Sequence, residues 1–459
     1  MESTSVSFQR QQRRSLLWRV HFWSALICSP IALIATLTGL LFVVTPQIEN
    51  ILYSHLDTVT PTDASMPLDA SIQAALNVVP KGWILHSVAP AQLATDSVRV
   101  VFVKPAIKKD APNTHTGHDS HGSNASNRNT SRTPEFLRPN FGLPKQSLVF
   151  YVNPYTAQVL GSLPESERFN VWTRKLHSNY LQNDNWRWII ELGASWLLVM
   201  LITGVYLAWP NKQDSIVPSR NAQGRLAWKQ WHLFIGLTLA VVSAVIIVTG
   251  LTWSKNAGEQ IRFLRDITGQ KSPRIPAYFK SAVPEQGKQL TWDQAFSSIK
   301  THGSDVSMQI MAPTNAQGVW RANQLDRGQP TRGFDLLIDA YSGAPLYYSG
   351  WEQQTAFGKA TAIGIPFHRG EFGLWNQLLL VAFGLGLIFS IVSGWMMLFI
   401  RYKRGAGFLP RLVPQAWRSI GLSMGVSAIL MFIAMPLLLI STVPVLLIEI
   451  FIWRKSIVR

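Results

Sequence analysis

The apolar residues of this chain are concentrated in a few long stretches that alternate with polar segments. An α-helix rises about 1.5 Å per residue, so about 20 apolar residues cross the hydrocarbon core of a bilayer. Four of the stretches have this length and contain few charged residues. We therefore predict membrane-spanning helices over residues 21–45, 186–209, 232–253 and 373–400.

A fifth apolar stretch, 417–453, is too long for one span, because a straight helix of that length measures about 50 Å against a core of about 30 Å. Basic residues stand at both of its ends, which favours an even number of crossings. Pro436 and Pro444 are positions where the helix can turn. We expect a C-terminal helical hairpin, with a single tilted helix and a re-entrant segment as the alternatives.

Two long polar segments, 46–185 and 254–372, show the same order of patterns. In each, a weakly helical piece precedes a β-hairpin with turn residues at its centre: VFYVNPYTAQVLGS at 149–162 and FDLLIDAYSGAPLYYS at 334–349. The repeated order of span, α+β segment and span predicts a tandem duplication. The expected fold is a multi-pass α-helical membrane protein with a four-helix transmembrane core and two external α+β domains.

The short connections between the spans are rich in Lys and Arg, which favours the cytoplasmic side of a membrane. This pattern predicts a cytoplasmic N-terminus, a first span that is a signal anchor rather than a cleaved signal, and two polar segments on the outer side. The predicted cytoplasmic segments are 1–20, 210–231, 401–416 and 454–459.

Composition agrees with a membrane protein, because 15% of the 459 residues are charged and a soluble globular protein has about 25%. The net charge of +17 does not indicate nucleic acid, since the basic residues flank the spans and form no stripe with aromatic residues. The single cysteine, Cys28, excludes a disulfide framework and cysteine-ligated metal sites. A Ser/Asn/His-rich tract at 108–134 is expected to be disordered, and metal binding by His115, His118 and His121 is the weaker alternative.

Four histidines recur at matching places in the two halves. His21 and His232 each stand 18 residues before the glycine of a Thr-Gly pair, at the inner end of a predicted span. His177 and His368 each precede a span from the outer side. Imidazole is the usual axial ligand of b-type haem, and the sequence has no Cys-x-x-Cys-His motif for c-type attachment. We predict two b haems, one held by each pair.

Two other interpretations apply to these histidines. A histidine near a membrane interface often only caps a helix or extends toward water, and Zn or Cu bound by two histidines alone lacks ligands. The Ser/Thr-Gly pairs of the spans are expected to serve in packing. Cationic residues beside each histidine pair are candidate partners of haem propionates: Arg19 and Lys229 inside, Arg174 and Arg369 outside.

These motifs give the chain a family resemblance. The basic-His-aromatic entry to the first span and the segments NPYTAQVLGS, KLHSNYL, TGVYLAWP, WKQWH, IDAYSGAPL and FHRGEFG resemble the PepSY-associated transmembrane helix family of bacterial inner-membrane proteins, over residues 14–404. The resemblance implies periplasmic PepSY-like domains, two b haems with His21, His177, His232 and His368 as ligands, and reduction of ferric siderophores. The His-rich tract and the apolar stretch after 417 depart from the family pattern.

The function that we expect is a haem b oxidoreductase of the bacterial inner membrane. It would take electrons from a quinol, a reduced flavin or a cytoplasmic reductase and pass them to a ferric siderophore or another iron chelate in the periplasm. A different class is the alternative: a non-enzymatic membrane protein whose PepSY-like domains bind or regulate a periplasmic partner such as a peptidase. A transporter subunit is weaker, because Glu191 and Glu449 are the only acids inside the spans.

Overall fold

The computed structural model of the protein describes residues 2–62, 64–105, 143–144, 146–209, 217–303 and 305–457. The polar tract predicted at 108–134, with its three histidines, lies outside the described residues. The chain divides into two compact units. The first, here called the helical unit, comprises Met1–Val44, Arg174–Gly269 and Gly364–Arg459; the second, the sheet unit, comprises Thr45–Thr173 and Gln270–Ile363.

The helical unit contains the apolar helices that the hydropathy pattern predicts. Three of them are long and apolar enough to cross a membrane, and two bent pairs raise the number of candidate spans to as many as five. The chain is therefore a membrane protein. The helices are α1 (Glu2–Val43), α6 (Arg187–Ala208), α7 (Gly224–Thr238), α8 (Ala240–Thr252), α9 (Asn256–Ile267), α12 (Leu374–Lys403), α13 (Leu422–Ala434) and α14 (Pro436–Ile457). The unit boundaries fall within two further helices, α5 (Phe169–Asn179) and α11 (Ala356–Arg369).

The span predicted at 232–253 is not one straight helix. It consists of α7 and α8, whose axes differ in direction by 60°. Leu239, the residue between them, has φ −92° and ψ 0°, outside the α-helical region, so the axis turns at this point. Hydropathy records the apolar length of such a segment and carries no signal for the bend.

The C-terminal apolar stretch turns sharply at Met435, where α13 and α14 meet at 120°. Pro436 begins α14, and a proline has no N–H to continue the hydrogen-bond ladder of α13. α13 has 13 residues and therefore measures about 20 Å, less than the thickness of a hydrocarbon core of about 30 Å. The turn lies at one of the two predicted prolines, while crossing by both helices remains a prediction.

The sheet unit is built on one antiparallel sheet of eight strands in the order β4-β3-β2-β1-β5-β6-β7-β8. Both predicted hairpins are present, as β3–β4 and β7–β8, and each half has one helix packed on its strands. The strands are β1 (Ile84–Ala89), β2 (Val98–Val103), β3 (Ser147–Val152), β4 (Val159–Pro164), β5 (Met308–Met311), β6 (Val319–Gln324), β7 (Asp335–Asp339) and β8 (Pro345–Ser349). The helices are α2 (Thr45–Leu52), α3 (Ser54–Asp57), α4 (Leu68–Val78) and α10 (Trp292–His302).

The two polar segments, which the sequence suggests as separate domains, share this sheet. Each segment supplies four consecutive strands, and β1 pairs with β5 through Val88 and Ile310. Both residues are fully buried, so the contact is part of the core. Pairing β1 with β5 also removes two exposed strand edges, whose unpaired N–H and C=O groups would otherwise face water.

Two aspartates connect the halves a second time. The carboxylate of Asp293 accepts hydrogen bonds from the backbone N–H groups of Leu68 and Asp69, at 2.7 and 3.1 Å. In return, the carboxylate of Asp69 accepts from the N–H groups of Trp292 and Asp293, at 3.3 and 3.2 Å. Each carboxylate thus caps the N-terminus of the helix in the other half, where unpaired N–H groups and the helix dipole favour negative charge.

Candidate functional site

The four predicted histidines of the helical unit all contact a neighbouring helix through the same ring nitrogen. His21, on α1, places Nδ1 3.1 Å from the backbone oxygen of Met200 and 3.1 Å from Oγ1 of Thr203, both on α6. His177, near the end of α5, places Nδ1 3.1 Å from Oγ1 of Thr38 on α1.

The other two histidines repeat the contact in the second half of the chain. His232, on α7, places Nδ1 2.9 Å from Oγ of Ser393 on α12. His368, in the last turn of α11, lies 3.0 Å from Oγ1 of Thr249 and 3.0 Å from the backbone oxygen of Ile246, both on α8. The four hydroxyl residues belong to the Ser/Thr-Gly pairs of the spans, which the sequence suggested only as packing positions.

A backbone carbonyl three residues before the hydroxyl residue also lies beside each ring; its oxygen is 3.1 Å from Nδ1 of His21 and 3.0 Å from Nδ1 of His368. A carbonyl oxygen can only accept a hydrogen bond, so Nδ1 must carry the proton and donate it. The remaining nitrogen, Nε2, then has a free lone pair, which is the form in which imidazole binds a metal ion. The carbonyl and hydroxyl residues are Met200 and Thr203 for His21, Ala35 and Thr38 for His177, Ser390 and Ser393 for His232, and Ile246 and Thr249 for His368.

The hydroxyl groups are fixed in the matching orientation by their own helices. Oγ1 of Thr203 donates to the backbone oxygens of Val199 and Met200, at 2.8 and 3.1 Å. Oγ1 of Thr38 has the same two kinds of partner, at 2.9 and 3.0 Å. Because the hydroxyl proton is engaged within the helix, the hydroxyl oxygen is left to accept from Nδ1 of the histidine.

A glycine follows each hydroxyl residue and leaves room for the imidazole ring. A Cβ atom added at Gly204 would lie 3.1 Å from Cε1 of His21, closer than most real contacts. The corresponding distance is 3.3 Å from Gly39 to His177 and 3.3 Å from Gly250 to His368. It is 3.9 Å from Gly394 to His232, an ordinary contact. At three of the four places a larger residue would press on the ring.

The histidines lie in two pairs. The ring centres of His177 and His368 are 6.5 Å apart. Two imidazoles bound to one metal ion from opposite sides, with bonds of about 2.0–2.1 Å, have ring centres roughly 6.3 Å apart, so the spacing fits two axial ligands. His21 and His232 are close enough to interact electrostatically.

The donor set fits haem better than a protein-enclosed metal ion. Among the described residues, no group of three or more His, Cys, Asp or Glu side chains is placed to hold a metal ion. A structural zinc site needs four such ligands, whereas a b-type haem takes four equatorial nitrogens from its own ring and needs only two axial ligands from the protein. Two imidazoles with free Nε2 atoms are the complete protein contribution to such a site.

The cationic residues predicted beside the histidines differ in their surroundings. Arg19 is buried, and its guanidinium forms a two-point ion pair with Glu449 on α14, at 2.7 and 3.0 Å. Arg369 lies 2.9 Å from the carboxylate of Glu371 and 5.7 Å from the centre of the Phe42 ring. Arg174 and Lys229 are exposed.

The two acids inside the apolar helices have structural partners. Besides its ion pair with Arg19, Glu449 accepts a hydrogen bond from the indole N–H of Trp23. Glu191, which is 1% exposed, accepts from the backbone N–H groups of Asn256 and Ala257, at 3.1 and 2.8 Å, and so caps α9. Both carboxylates are therefore committed to helix contacts, which weakens the transporter interpretation further.

A family model described as the PepSY-associated TM region matches residues 18–401, more than four fifths of the chain. The match confirms the resemblance found in the sequence. The matched residues include all four histidines together with the carbonyl and hydroxyl groups that hold them, and they end before α13 and α14. No curated protein matches the chain.

Proposed function

We propose that this chain, which belongs to the family of the PepSY-associated TM region, is a haem b oxidoreductase with two haems. It passes electrons through the bacterial inner membrane to an acceptor in the periplasm, for which a ferric siderophore or another iron chelate is the best candidate. His21 and His232 hold one haem, and His177 and His368 hold the other.

One observation carries this proposal: Nδ1 of each of the four histidines lies 2.9–3.1 Å from a Ser or Thr hydroxyl of a neighbouring helix, and His21 and His368 also donate to a backbone carbonyl there. A histidine that only caps a helix or extends toward water has no need of a fixed tautomer. Four rings held alike, each with Nε2 unprotonated, fit four metal ligands in two sites.

The protein's own residues bind the haems and keep water away from them. Each Ser or Thr hydroxyl, together with its carbonyl, orients an imidazole and increases the electron density on Nε2. The glycines leave space beside the rings, and the apolar side chains of α1, α6, α7, α8 and α12 lower the local dielectric constant. Bound haem would supply a one-electron iron couple at each site, the chemistry that no side chain of this chain offers.

Charge and coordination chemistry support the proposed acceptor and direction of transfer. Lys and Arg in the short loops favour the cytoplasmic side, which leaves the sheet unit in the periplasm. Siderophores bind ferric iron through hard oxygen ligands, and reduction to ferrous iron weakens such binding and releases the metal. The electron donor is a quinol, a reduced flavin or a cytoplasmic reductase.

The decisive test is an absorption spectrum of the purified full-length protein, produced with an ample haem supply, together with the ratio of haem to protein. We expect the Soret and α bands of b-type haem and two haems per chain. His232→Ala and His368→Ala should each leave one haem, whereas His302→Ala, at an exposed position on α10, should leave two.

A protein that contains no haem under these conditions would contradict the proposal. Retained function after all four histidines are changed to alanine would favour the alternative, a membrane protein whose PepSY-like domains bind a periplasmic partner. Loss of both haems from either single variant would contradict the assignment of the pairs, but not the proposal that the wild-type protein binds haem.

A further inference from the structure

An arginine pair that no part of the proposed function uses lies near one end of α7 and α12. These two helices run antiparallel, since His232 meets Ser393 while Leu239, just after the end of α7, packs directly against Gly386, earlier on α12. Continuing from the histidine in the other direction, Arg225 stands seven residues before His232 on α7. Arg401 stands eight residues after Ser393 on α12.

The two arginines are near each other, and neither has a carboxylate partner among the described residues. The charge of Arg225 lies close enough to that of Arg401 to repel it, and Arg19 and Arg411 add to the repulsion. Arg401 donates to the backbone oxygen of Leu409 at 2.8 Å and lies 5.2 Å from the centre of the Trp18 ring. In the part of the chain that the structure describes, neither Arg225 nor Arg401 forms an ion pair with a carboxylate.

Arg225 carries the clearest sign of a missing partner. Its Nε atom is shielded from solvent and has no hydrogen-bond partner among the described residues. A buried donor of a charged group that remains unpaired costs more free energy than a neutral one. Adjacent guanidinium groups add repulsion to this cost, and an anion bound between them would remove both.

We infer that Arg225 and Arg401 bind the two propionate carboxylates of the haem held by His21 and His232. The inference rests on the proposed function and extends it. Seven residues correspond to two helical turns, so Arg225 shares a helix face with His232 and lies about 10.5 Å along the axis from it. A guanidinium group presents two parallel N–H donors to a carboxylate, which a lysine cannot do.

The cations predicted from the sequence as propionate partners fit that role less well than these two arginines. Arg19 already has a carboxylate partner in Glu449, and Lys229 is exposed. The phosphate of an anionic phospholipid would offer the arginines similar oxygen ligands. Since one arginine is on the histidine's own helix and the other on the helix that orients this histidine, the haem carboxylates are the favoured source.

The test compares haem with its dimethyl ester, whose propionates carry no charge. Full-length His368→Ala protein, in which His21 and His232 are the one complete histidine pair, is depleted of haem and titrated with each compound while the Soret band is recorded. With both arginines present, haem should bind at least about tenfold more tightly than the ester for each carboxylate–arginine contact. In the Arg225→Gln/Arg401→Gln variant this ratio should fall toward one.

Two controls make the outcome specific. Binding of the ester should be the same with and without the arginines, which shows that the variant is folded. Arg220→Gln, at an exposed arginine of the loop before α7, should keep the full ratio. An unchanged ratio in the double variant would overturn the inference. So would an unchanged ratio together with loss of a co-purifying anionic phospholipid in native mass spectrometry, which would assign the arginines to lipid. If neither compound binds to the parent protein, the proposed function itself fails.

Discussion

At the scale of single residues, the same arrangement of a histidine against a hydroxyl of a neighbouring helix occurs four times. A metal-binding histidine must present one nitrogen without a proton, and a hydrogen bond from the other nitrogen enforces this. Here a hydroxyl and the carbonyl three residues before it accept that bond together, so a single helical turn of the neighbouring helix fixes both the tautomer and the ring orientation.

Removing one hydroxyl should weaken a proposed haem site without destroying it. In Thr38→Val the carbonyl of Ala35 still accepts from His177, but the bond to the hydroxyl at 3.1 Å is lost. We expect about a tenfold loss of haem affinity at the proposed site of His177 and His368. This is the lower end of the range for residues that orient metal ligands. Titration of the haem-depleted protein measures it.

Thr36→Val is the matched control for this experiment. Thr36 lies on the same helix, is buried to a similar degree, and its hydroxyl donates to the backbone oxygen of Ala32, at 2.6 Å, with no histidine partner among the described residues. Its substitution should leave the affinity for haem at the wild-type value. Equal losses in Thr36→Val and Thr38→Val would mean that the hydroxyl of Thr38 serves packing alone.

The glycines give a graded second prediction. Gly204→Ala adds a Cβ atom 3.1 Å from His21, whereas Gly394→Ala adds one 3.9 Å from His232, on the opposite side of the same haem site. The first should displace the ring at a cost of about 1–3 kcal/mol, while the second fits. Haem content at the proposed site of His21 and His232 should therefore fall in Gly204→Ala and remain near the wild-type value in Gly394→Ala. The reverse order would contradict the contact.

The four histidines and the four Ser/Thr-Gly pairs are visible in the sequence, because the duplication repeats their spacing. Their partnership is not visible. Thr38 meets His177 across 139 positions and Ser393 meets His232 across 161, and such contacts depend on how the helices pack. The arginines at 225 and 401 were missed for the same reason, since each looks like an ordinary loop-flanking charge.

At the scale of helices and strands, local pattern predicts what exists and tertiary packing decides how it is joined. Alternation and turn residues identified both hairpins, and apolar length identified the long helices. The pairing of β1 with β5 was not predicted, because any strand edge can in principle pair with another. The bend at Leu239 was missed because it is a matter of dihedral angles, not of hydropathy.

The reciprocal caps on α4 and α10 should make the stability of the sheet unit, in which the two halves are joined, depend on pH. Burial, and then the hydrogen bond with Asp293, raises the pKa of Asp69. For Asp293, burial acts in the upward direction, but hydrogen bonds from Asp69 and from backbone N–H groups outweigh it and lower the pKa. The two carboxyl groups thus share one proton over a window around the usual Asp pKa of about 3.9.

The sign of the effect on stability follows from these directions. The contribution of Asp69 to the free energy of unfolding is complete below its ordinary pKa and is lost as the pH rises through the raised pKa. The contribution of Asp293 is present above its ordinary pKa and is lost as the pH falls through the lowered pKa. As the pH rises above the usual Asp pKa of about 3.9, the melting temperature of the sheet unit should fall more in the wild type than in Asp69→Asn, which cannot ionise. Calorimetry of the full-length protein measures both curves.

Asp305→Asn, at an exposed position of the same unit, is the control and should follow the wild-type curve. Parallel curves for the wild type and Asp69→Asn would show that the pair does not share a proton in this range.

At the scale of the whole molecule, the distribution of charge determines which side of the membrane each part faces. Five basic residues in 401–418 and four in 210–229 lie in short connections, where they act on orientation, whereas those of the long polar segments do not. Electron transfer outward requires the sheet unit and the loop at 217–223 to face opposite sides. The proposed direction of transfer therefore depends on a topology that can be measured directly.

The wild type should give little background in a thiol-labelling measurement, because Cys28 is the single cysteine of the sequence and is fully buried. Asn77→Cys places a thiol on an exposed position of the sheet unit, and Asn221→Cys places one on an exposed position of the loop before α7. A membrane-impermeant maleimide added to intact spheroplasts should label the first variant and not the second. After the membrane is permeabilised, both should be labelled, and the wild type should stay unlabelled throughout. Labelling of Asn221→Cys in intact spheroplasts would reverse the orientation, and with it the side on which the acceptor is reduced.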